Sequence, residues 1–512
     1  MLPLKCFEKF LPGGDIAIKM LGNLRLVPGL GDLPRCGGER RAAPPGSLRC
    51  NCVGGTGTKG GKVSFVSLGC PKNTVDGEVL LGDLQRSGYK IVKEHEDADA
   101  IIVNTCGFVE DAKNESIEAI MEASSVTSSD GKTPKVIVTG CLAQRYGGDL
   151  AEELPEADMV MGFEKYSNLP TALGSVLGNG NGQELSTSRV QVGEATVPFR
   201  EEWDRIRLTA SHTAYLRVAE GCDHKCSFCA IPKFRGKFRS KSWDALLAEA
   251  KHLVASGVRE LNLIAEDTNQ YGMDRRGSPG LAELMRELGK LEGLDWMRIL
   301  YAYPSYFSEE LIDEIANNPK VCKYVDIPLQ HISNLTLLAM NRPPKEHTVK
   351  LLRKLRDRIP NLVLRTTFIS GFPGETNEQH RELVDFCKEF KFERMGCFMY
   401  SEEDGTPAGE LPDQVAPEIR EARRDELISL QQDVCVTFAE SMVGKEIPVL
   451  VDGYSEDGEL VGRTQWDAPD VDPLVFLSPP LDPSVPPLEL GQLRMCKIHS
   501  TSLYDLEAHP VS

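Results

Sequence analysis

From residue 62 onward, short apolar runs alternate with longer amphipathic stretches along the chain. The first three runs are KVSFVSLG, ADAIIVNT and PKVIVTG, and all three are rich in β-branched residues. Helical patterns at Val75 to Ser87 and Glu110 to Ser124 separate them. Because strands that alternate with helices pair in parallel, residues 62–173 are predicted to form a βαβ parallel-sheet domain.

A second and longer alternation occupies residues 211–442. Its strand-like runs are YLRVAE, ELNLIAE, WMRILYAY, KYVDIPLQ, LVLRTTFIS and MGCFMYS. Amphipathic helical patterns follow the first five runs, at 244–255, 281–291, 308–317, 346–358 and 376–390. Strand–helix repeats in this order predict a partial, open (β/α)6 barrel.

The last part of the chain changes to a different pattern. A long amphipathic stretch, Pro417 to Met442, leads into the short strand-like runs IPVLVDGY, GELVGRTQW, PLVFLS and LRMCKIHS. These runs predict a small antiparallel β-barrel over residues 443–512. Residues 174–210 contain the Gly, Asn and Ser-rich stretch GSVLGNGNGQELSTS and are predicted to be a linker. The fold class is therefore α/β with an appended β-barrel.

The leader, residues 1–61, differs from the rest of the chain. Its first 60 residues carry nine Lys and Arg against four Asp and Glu, with many Gly and Pro and no clear periodicity. A basic, acid-poor leader is typical of an organelle transit peptide. A disordered extension or a misassigned start explains the same composition, and the sequence leaves these alternatives open.

Three cysteines follow the first three strand-like runs directly: Cys70, Cys106 and Cys141, the upstream trio. The carboxyl ends of parallel strands share one edge of a sheet, where ligands of open α/β sheets bind, so these thiols are expected to meet. An ordinary buried thiol is the alternative for each of them singly. No G-x-G-x-x-G follows the first strand, which argues against a dinucleotide site. Three thiolates at one edge favour an iron–sulfur cluster.

A second set of cysteines, the loop trio of Cys222, Cys226 and Cys229, lies within CDHKCSFC, directly after the first barrel strand. Three thiolates hold three irons of a four-iron cluster and leave the fourth open to a substrate. A zinc site with His224 as the fourth ligand is the alternative, although closed zinc sites mostly use paired spacings.

Polar residues follow other barrel strands in the same way. Asp267 follows the second strand, Gln330 the fourth, and the turn GFPGE, Gly371 to Glu375, the fifth. The working site of such a barrel forms at the carboxyl ends of its strands, so these residues are expected to line one site.

Eight motifs between residues 62 and 510 carry a family resemblance: LGCPKNTVDGE, VNTCGFVEDAKNES, VTGCLA, AEGCDHKCSFCAIP, DIPLQH, TTFISGFPGET, YSEEDGTPA and GRTQWDAPDVD. Together they resemble the methylthiotransferase family of radical S-adenosylmethionine (SAM) enzymes, and within it the branch that modifies a ribosomal protein. The chain departs from the family pattern at Gly77 and Ser370, where Ser and Val are usual, and at Ala265–Glu266, where Ser-Gln is usual. All six trio cysteines are retained.

The resemblance implies one 4Fe–4S cluster on each trio, SAM at the open iron of the loop-trio cluster, and a TRAM-like C-terminal domain that recognises substrate. It places SAM beside Phe228, Glu266, Asp267, Gln330, Arg365, Gly371, Gly374 and Glu375. A SAM-derived radical would remove hydrogen from the β-carbon of an aspartate in the basic decoding-centre protein of the small ribosomal subunit. The upstream-trio cluster would deliver the methylthio group, with help from a sulfur donor and an electron donor. The resemblance identifies no catalytic side chain besides the cluster ligands.

Two other functions remain as alternatives. A transfer-RNA methylthiotransferase would share both trios, although relatives of that kind usually have Gln or Lys in place of Pro71. A non-catalytic iron–sulfur electron carrier is a different class of protein. It needs neither a barrel nor a SAM pocket, and it usually fills every iron position with a thiolate.

Charge narrows the choice of partner. The chain has a net charge of −18, and residues 443–512 carry twelve Asp and Glu against four Lys and Arg. An RNA-gripping module should be basic, so an acidic C-terminal domain favours a basic protein partner over RNA.

The apolar runs and the cysteine content indicate the compartment in which the protein is found. No apolar run of about 18 residues predicts a membrane span. The 15 cysteines are diluted through 512 residues and cluster at metal-type spacings, which favours a reducing compartment. A soluble cytoplasmic enzyme is expected, or a plastid or mitochondrial one if the leader is a transit peptide, and nothing in the sequence requires more than a monomer.

Overall fold

The computed structural model of the chain describes residues 60–128, 131–178, 188–197, 199, 202 and 204–511. Almost all of the leader predicted at 1–61 lies outside these residues, and so does the expectation of a transit peptide. The described residues form a parallel sheet, an open barrel and a closed barrel in chain order.

The N-terminal part is a six-stranded parallel sheet in the order β2-β1-β3-β4-β5-β6, which confirms the predicted fold class. Its elements are β1 (Lys62–Ser67), α1 (Pro71–Arg86), β2 (Lys90–Ile91), β3 (Ala100–Thr105), α2 (Glu110–Ser125), β4 (Lys135–Thr139), α3 (Gly140–Glu153), β5 (Met159–Met161), α4 (Leu169–Val176) and β6 (Val190–Gln191). Sequence reasoning found β1, β3 and β4 and missed the three short strands, which are too brief to show a period of two.

Alternation along β3 shows why this sheet is covered on both faces. Ala100 and Ile102 belong to one hydrophobic core, and Ile101 and Val103 belong to another on the opposite face. All six β3 residues are buried, as expected for a central parallel strand between two helical layers.

The central part is a six-stranded parallel sheet in the order β14-β13-β12-β11-β10-β7. Its elements are β7 (Thr213–Arg217), β8 (Ala219–Glu220), α5 (Ile231–Arg235), β9 (Arg239–Ser240), α6 (Trp243–Ala255), β10 (Glu260–Ile264), α7 (Leu281–Leu288), β11 (Trp296–Ile299), α8 (Glu309–Asn317), β12 (Val321–Asp326), α9 (Asn334–Ala339), α10 (Lys345–Arg358), β13 (Val363–Ser370), α11 (Asn377–Phe390), β14 (Arg394–Met399) and α12 (Pro417–Glu440). Because β7 and β14 are the two edges of the sheet, the barrel is open, and the predicted partial (β/α)6 architecture is confirmed.

The C-terminal part closes into a five-stranded barrel in the order β15-β16-β17-β19-β18. Its strands are β15 (Glu446–Tyr454), β16 (Leu460–Thr464), β17 (Val475–Leu477), β18 (Leu493–Ser502) and β19 (Asp505–Pro510). All neighbouring strands are antiparallel except β17 and β19, which pair in parallel. Sequence reasoning predicted the barrel and missed β19, whose run DLEAHP has three polar residues among six and no β-branched residue.

The segment predicted to be a linker, 174–210, differs from that expectation where the structure describes it. Val190–Gln191 extends the N-terminal sheet as β6, next to β5. Glu202 and Arg205 are both buried. Arg205 Nε lies 3.1 Å from Glu78 Oε2 of α1, and Glu202 pairs with Arg217 of β7. This segment therefore joins the two domains through buried ion pairs, which its Gly- and Ser-rich composition does not reveal.

The acidic residues of the C-terminal barrel are partly used inside the molecule. Asp472 Oδ1 accepts a hydrogen bond of 2.6 Å from Arg365 of β13, and Asp467 Oδ1 lies 2.5 Å from Arg394 of β14. Asp470 accepts a hydrogen bond of 3.2 Å from the Tyr215 hydroxyl. The closed barrel thus inserts carboxylates among cations of the open barrel, so its acid surplus is not all available to an external partner.

Within the described residues, no helix is long and apolar enough to cross a membrane.

Glu260, on β10, provides a test of this interdomain network. Its fully buried carboxylate lies 2.7 Å from Arg463 of β16 and 3.2 Å from Arg298 of β11. Although burial opposes the charge, the two guanidiniums lower the pKa of Glu260 to about 2. The carboxylate therefore stabilises the fold above the ordinary Glu pKa, and this stabilisation is lost as the pH falls toward 2.

We expect Glu260→Gln to cost about 3–5 kcal/mol at neutral pH, because it leaves two buried cations without their shared counter-charge. Urea unfolding followed by tryptophan fluorescence measures the change. The control is Glu309→Gln, which breaks an exposed ion pair with Lys354 and Arg358 and should leave the midpoint nearly unchanged. Equal midpoints for the two variants would contradict the expectation.

Candidate active site

The upstream trio comes together at one edge of the N-terminal sheet. Cys70, Cys106 and Cys141 follow β1, β3 and β4, which are adjacent strands. A Cβ added to Gly69 would lie 3.2 Å from Cys106 Sγ, so only glycine lets the Cys70 turn approach the second cysteine this closely. The sequence-based expectation that strand ends would gather these thiols agrees with their placement.

Gly140 brings in the third thiol of the trio. It has φ +95°, and an added Cβ would lie 2.3 Å from the Thr105 carbonyl oxygen. Glycine thus lets β4 turn into α3 immediately beside β3, and Cys141 begins that helix. Cys70 directly precedes α1, so two of the three thiols lie at helix N-termini, where the helix dipole favours a thiolate.

The thiols of the upstream trio affect one another electrostatically. Burial, and then the neighbouring Cys70, raise the pKa of Cys106 to about 11. Burial raises the pKa of Cys141 well above its ordinary value, with smaller contributions from Cys106 and Cys70. Three thiolates in one place, two of them buried, need a compensating positive charge, which the irons of a cluster would supply. The trio therefore fits the proposed ligand chemistry.

The loop trio lies between β8 and α5. Cys222 donates its backbone N–H to Gly236, and Cys229 donates to Cys226 in a tight turn, at 3.1 Å in both cases. Burial and then Cys226 raise the pKa of Cys229 to about 12. Burial also raises the pKa of Cys222, with smaller contributions from Cys229 and Cys226. This set has the same character as the upstream trio: partly buried thiols that need cationic partners.

His224, the fourth ligand of the zinc alternative, has other contacts. His224 Nε2 hydrogen-bonds Asp267 Oδ2 at 2.6 Å, and its ring stacks on Tyr303 with centroids 3.6 Å apart. In the described part of the chain, no three or more His, Cys, Asp or Glu side chains form a group that could hold a single metal ion. A cluster takes one thiolate per iron, so its ligands stand farther apart than those of one zinc ion.

Three of the residues expected beside SAM lie in or near the loop trio. Glu266 acts electrostatically on Cys222 and Cys229, and neither of its buried carboxylate oxygens has a hydrogen-bond partner among the described residues. Asp267 orients His224. Phe228 packs against a small hydrophobic core that includes Phe372.

Gln330 lies beside β13. It has φ +73° and donates its backbone N–H to Thr367 at 2.8 Å. Its backbone therefore turns sharply where β12 and β13 end, at the carboxyl edge of the barrel.

The turn after β13 is held by Glu375. Glu375 Oε2 accepts a hydrogen bond from the Gly371 backbone N–H, and its other oxygen lies 3.4 Å from His331 Nε2. Although burial opposes it, the hydrogen bond with His331 and the nearby ring of His380 lower the pKa of Glu375 to about 2. Glu375 therefore holds the glycine turn together from inside. Gly371 and Gly374 have φ of +71° and +78°, which only glycine adopts easily.

Arg365 lies elsewhere. Its Nη1 donates to Asp472 at 2.6 Å, and its Nε lies 3.8 Å from Asp326. The guanidinium is bound by Asp472 of the C-terminal domain, and its expected contact with SAM stays a prediction. Sequence reasoning could not foresee this because the partner is 107 residues away in the chain.

Arg235 joins the two trios. This buried side chain lies on α5, which follows the loop trio, and its Nη2 lies 3.6 Å from Cys141 Sγ of the upstream trio and 2.8 Å from Asp76 of α1. Although burial opposes the charge, Cys141 and Asp76 raise the pKa of Arg235 well above its ordinary value. One guanidinium thus connects the loop that carries one trio to the helix that carries a ligand of the other.

Sequence reasoning missed three cations around the trios: Lys72, Arg235 and Arg342. Arg342 Nη1 lies 3.8 Å from Cys226 Sγ, and its guanidinium lies 4.1 Å from the Tyr303 ring centroid. Lys72 and Arg235 are two and six residues from a trio cysteine, and this proximity was the available signal. Arg342, 113 residues beyond Cys229, gave none.

Comparisons with known proteins agree with this arrangement. The family model described as uncharacterized protein family UPF0004 matches residues 62–162, the radical SAM superfamily matches residues 216–387, and the TRAM domain matches residues 443–511. The ribosomal protein uS12 methylthiotransferase RimO of Desulforamulus reducens is 44% identical, over 87% of this chain and 98% of the relative. The RimO of Geobacter sulfurreducens is 43% identical, over 88% of this chain and 99% of the relative.

This chain belongs to the RimO methylthiotransferase family. It is a radical SAM enzyme, and membership of that superfamily implies a 4Fe–4S cluster and SAM. The predicted family, fold class and enzyme class are confirmed. Among solved structures, the radical SAM methyltransferase TsrM from Kitasatospora setae, with tryptophan and a SAM analogue bound, is 15% identical. It aligns with a TM-score of 0.51 over 73% of this chain and 89% of that chain, which shows a shared fold.

Arg342 gives a prediction for this RimO-family site. A cation beside Cys226 stabilises the more negative, reduced form of a cluster bound there, so Arg342→Met should lower its reduction potential. We expect a shift on the order of 60 mV, a tenfold change in a one-electron equilibrium. An EPR-monitored redox titration of reconstituted protein measures it.

The matched control is Arg353→Met, because that side chain is 66% exposed on α10. It should leave the potential unchanged. An unchanged or raised potential in the Arg342 variant, at equal iron content, would show that this contact does not tune the cluster.

Proposed function

We propose that this enzyme attaches a methylthio group to the β-carbon of an aspartate in ribosomal protein uS12, the basic decoding-centre protein of the small subunit. Its RimO-family relatives are named for uS12, and the chain matches them over nearly their whole length. The observation that supports the proposal is that Arg235, on the helix that follows the loop trio, lies 3.6 Å from Cys141 of the upstream trio and 2.8 Å from Asp76 of α1. A reaction that both abstracts hydrogen and inserts sulfur needs two such sites in reach of one substrate carbon.

The proposed ligands follow from this arrangement. Cys222, Cys226 and Cys229 would hold the cluster that binds SAM, and Cys70, Cys106 and Cys141 would hold a second 4Fe–4S cluster. When bound, the first cluster with SAM supplies the radical that removes hydrogen, and the second supplies the sulfur that is transferred.

The chain's own residues position these groups. Glu266 offers a buried carboxylate beside the loop trio, which fits the amino group of SAM. Phe228 presents an aromatic face at the same loop. Gly371 and Gly374 let the β13 turn come close to a ligand, and Glu375 fixes that turn.

Burial and docking exclude water from the site. Cys106 and Cys141 are both buried, and Lys113 and Arg145 of the N-terminal domain both reach Glu403, just beyond β14 of the barrel. Arg145 Nη1 lies 2.6 Å from the Glu403 carboxylate. These contacts close the edge of the interface beside the upstream trio and protect a reactive radical from side reactions.

Further partners belong to the proposal. The reaction needs a sulfur donor and an electron donor, and the enzyme is proposed to act as a monomer. The acid surplus of the whole chain, −18, still favours a basic protein over RNA as substrate, although part of the C-terminal surplus is used internally.

Iron content and SAM cleavage test the ligand sets. Anaerobically reconstituted wild-type enzyme should hold about eight irons per chain, four for each cluster. Cys226→Ala should abolish SAM cleavage. Cys106→Ala should hold fewer irons, keep most SAM cleavage and lose methylthiolation, because its thiol belongs to the other trio.

Cys322→Ala is the matched control, since Cys322 is a buried thiol of β12 outside both trios. This variant should keep the iron content and the activity of the wild type. Loss of both SAM cleavage and methylthiolation in a well-folded Cys106 variant would contradict the assigned division of labour.

Mass spectrometry tests the substrate. After incubation with enzyme, SAM, sulfide and reductant, uS12 should gain a methylthio group on an aspartate, and transfer RNA in the same reaction should not change. A methylthio group on the RNA alone would favour the transfer-RNA methylthiotransferase alternative and overturn the substrate assignment.

A further inference from the structure

Lys72 is a buried cation at the interface between the two trios. It lies in the first turn of α1, two residues after Cys70, and is 6% exposed. Its Nζ lies 3.2 Å above the centroid of the Tyr301 ring, just beyond β11 of the open barrel. The side chain therefore extends from the upstream trio toward the carboxyl edge of the barrel.

Lys72 differs from the other buried cations of the interface in its partners. Lys241 lies 2.8 Å from Glu202 and also pairs with Glu249, and Arg217 pairs with three carboxylates. For Lys72 Nζ the structure gives, within its described residues, a ring contact with Tyr301 and neither a hydrogen bond nor an ion pair. A buried ammonium without an anion costs several kcal/mol, and a ring face compensates part of that.

The neighbouring carboxylate does not fill this role. The Cys70 thiol, Glu266 and Asp326 act electrostatically on Lys72 but lie beyond hydrogen-bond and ion-pair distance, and the Glu266 oxygens accept no hydrogen bond from the described residues. The interface thus holds an ammonium near Cys70 with no carboxylate within ion-pair distance. It also holds a carboxylate near the loop trio, which Arg235 approaches to 3.6 Å. A ligand that places an anionic group between the two trios would supply the counter-charge of the Lys72 ammonium.

We propose that Lys72 binds the side-chain carboxylate of the substrate aspartate. This rests on the proposed function, in which the reacting β-carbon lies between the trios. The carboxylate is bonded directly to that carbon, so an ammonium that grips it fixes the carbon within a short distance. Lys72 stands beside the sulfur-delivering trio and reaches toward the radical-generating side, which is where such a grip is needed.

The same contact gives selectivity for aspartate. A site with a buried ammonium binds a carboxylate more tightly than a neutral amide of the same shape, because the amide leaves the ammonium without a counter-charge. Wild-type enzyme should therefore prefer substrate protein with Asp at the modified position over the same protein with Asn.

The experiment compares wild type, Lys72→Met, Lys72→Arg and the control Lys135→Met with both forms of the substrate protein. Lys135 is a half-exposed lysine at the opposite end of the same sheet, paired with Asp158. Lys72→Met should lose about 10- to 100-fold in kcat/KM for the Asp substrate and lose the preference for Asp over Asn. Lys72→Arg should keep part of that preference, and Lys135→Met should resemble wild type.

Iron content and SAM affinity are measured on the same samples. An unchanged kcat/KM or an unchanged Asp-to-Asn ratio in Lys72→Met would overturn the proposal. Loss of iron would assign Lys72 to supporting the upstream-trio cluster, and weaker SAM affinity would assign it to SAM, and either result would overturn it too. Wild-type enzyme that modifies no aspartate would instead sink the proposed function itself, and the role of Lys72 with it.

Discussion

The structure depends on one buried guanidinium, that of Arg235. It lies on the helix after the loop trio and contacts Asp76 of the N-terminal domain, Glu220 of the barrel and Cys141 of the upstream trio. Buried charges are tolerated when their partners are in place and are costly when one partner leaves. The two domains therefore reach full stability in one relative position, in which the helix after the loop trio contacts Cys141 of the upstream trio.

The surrounding ion pairs extend the same constraint. Arg217 binds Asp76 and Glu202, and Arg205 binds Glu78 and Glu249, so α1, the segment after residue 197 and the barrel wall are held by shared charges. An apolar interface of equal area could slide, because dispersion contacts carry little direction. Charged pairs with defined hydrogen-bond geometry specify a register, which suits an enzyme whose two sites must act on one carbon.

The C-terminal barrel uses the same chemistry for a different purpose. Its loop at 467–472 inserts Asp467, Asp470 and Asp472 among residues of the open barrel. A net charge counted from the sequence includes these carboxylates as surface groups. In the structure they bind residues of the open barrel instead. This domain therefore presents fewer carboxylates to a basic protein partner than its composition predicts. The proposed substrate rests mainly on the family relationship.

Periodicity and cysteine placement in the sequence were sufficient to predict both sheets, the open barrel, the appended β-barrel and the two trios. Those features are local: a strand ends, a glycine turns the chain, and a cysteine follows within a few residues.

Long-range pairing decided the rest. Asp472, Cys226 and Tyr301 are over 100 residues in the chain from Arg365, Arg342 and Lys72, which they contact. Strands such as β6 and β19 exist because neighbouring strands offer them hydrogen bonds. By itself the sequence determined which chemistry the chain carries, since thiol ligands and their spacing are written in one dimension. Which cations and carboxylates surround those thiols, and which of them remain for a substrate, was decided by tertiary structure, because a buried charge is defined by the partner that folding brings to it.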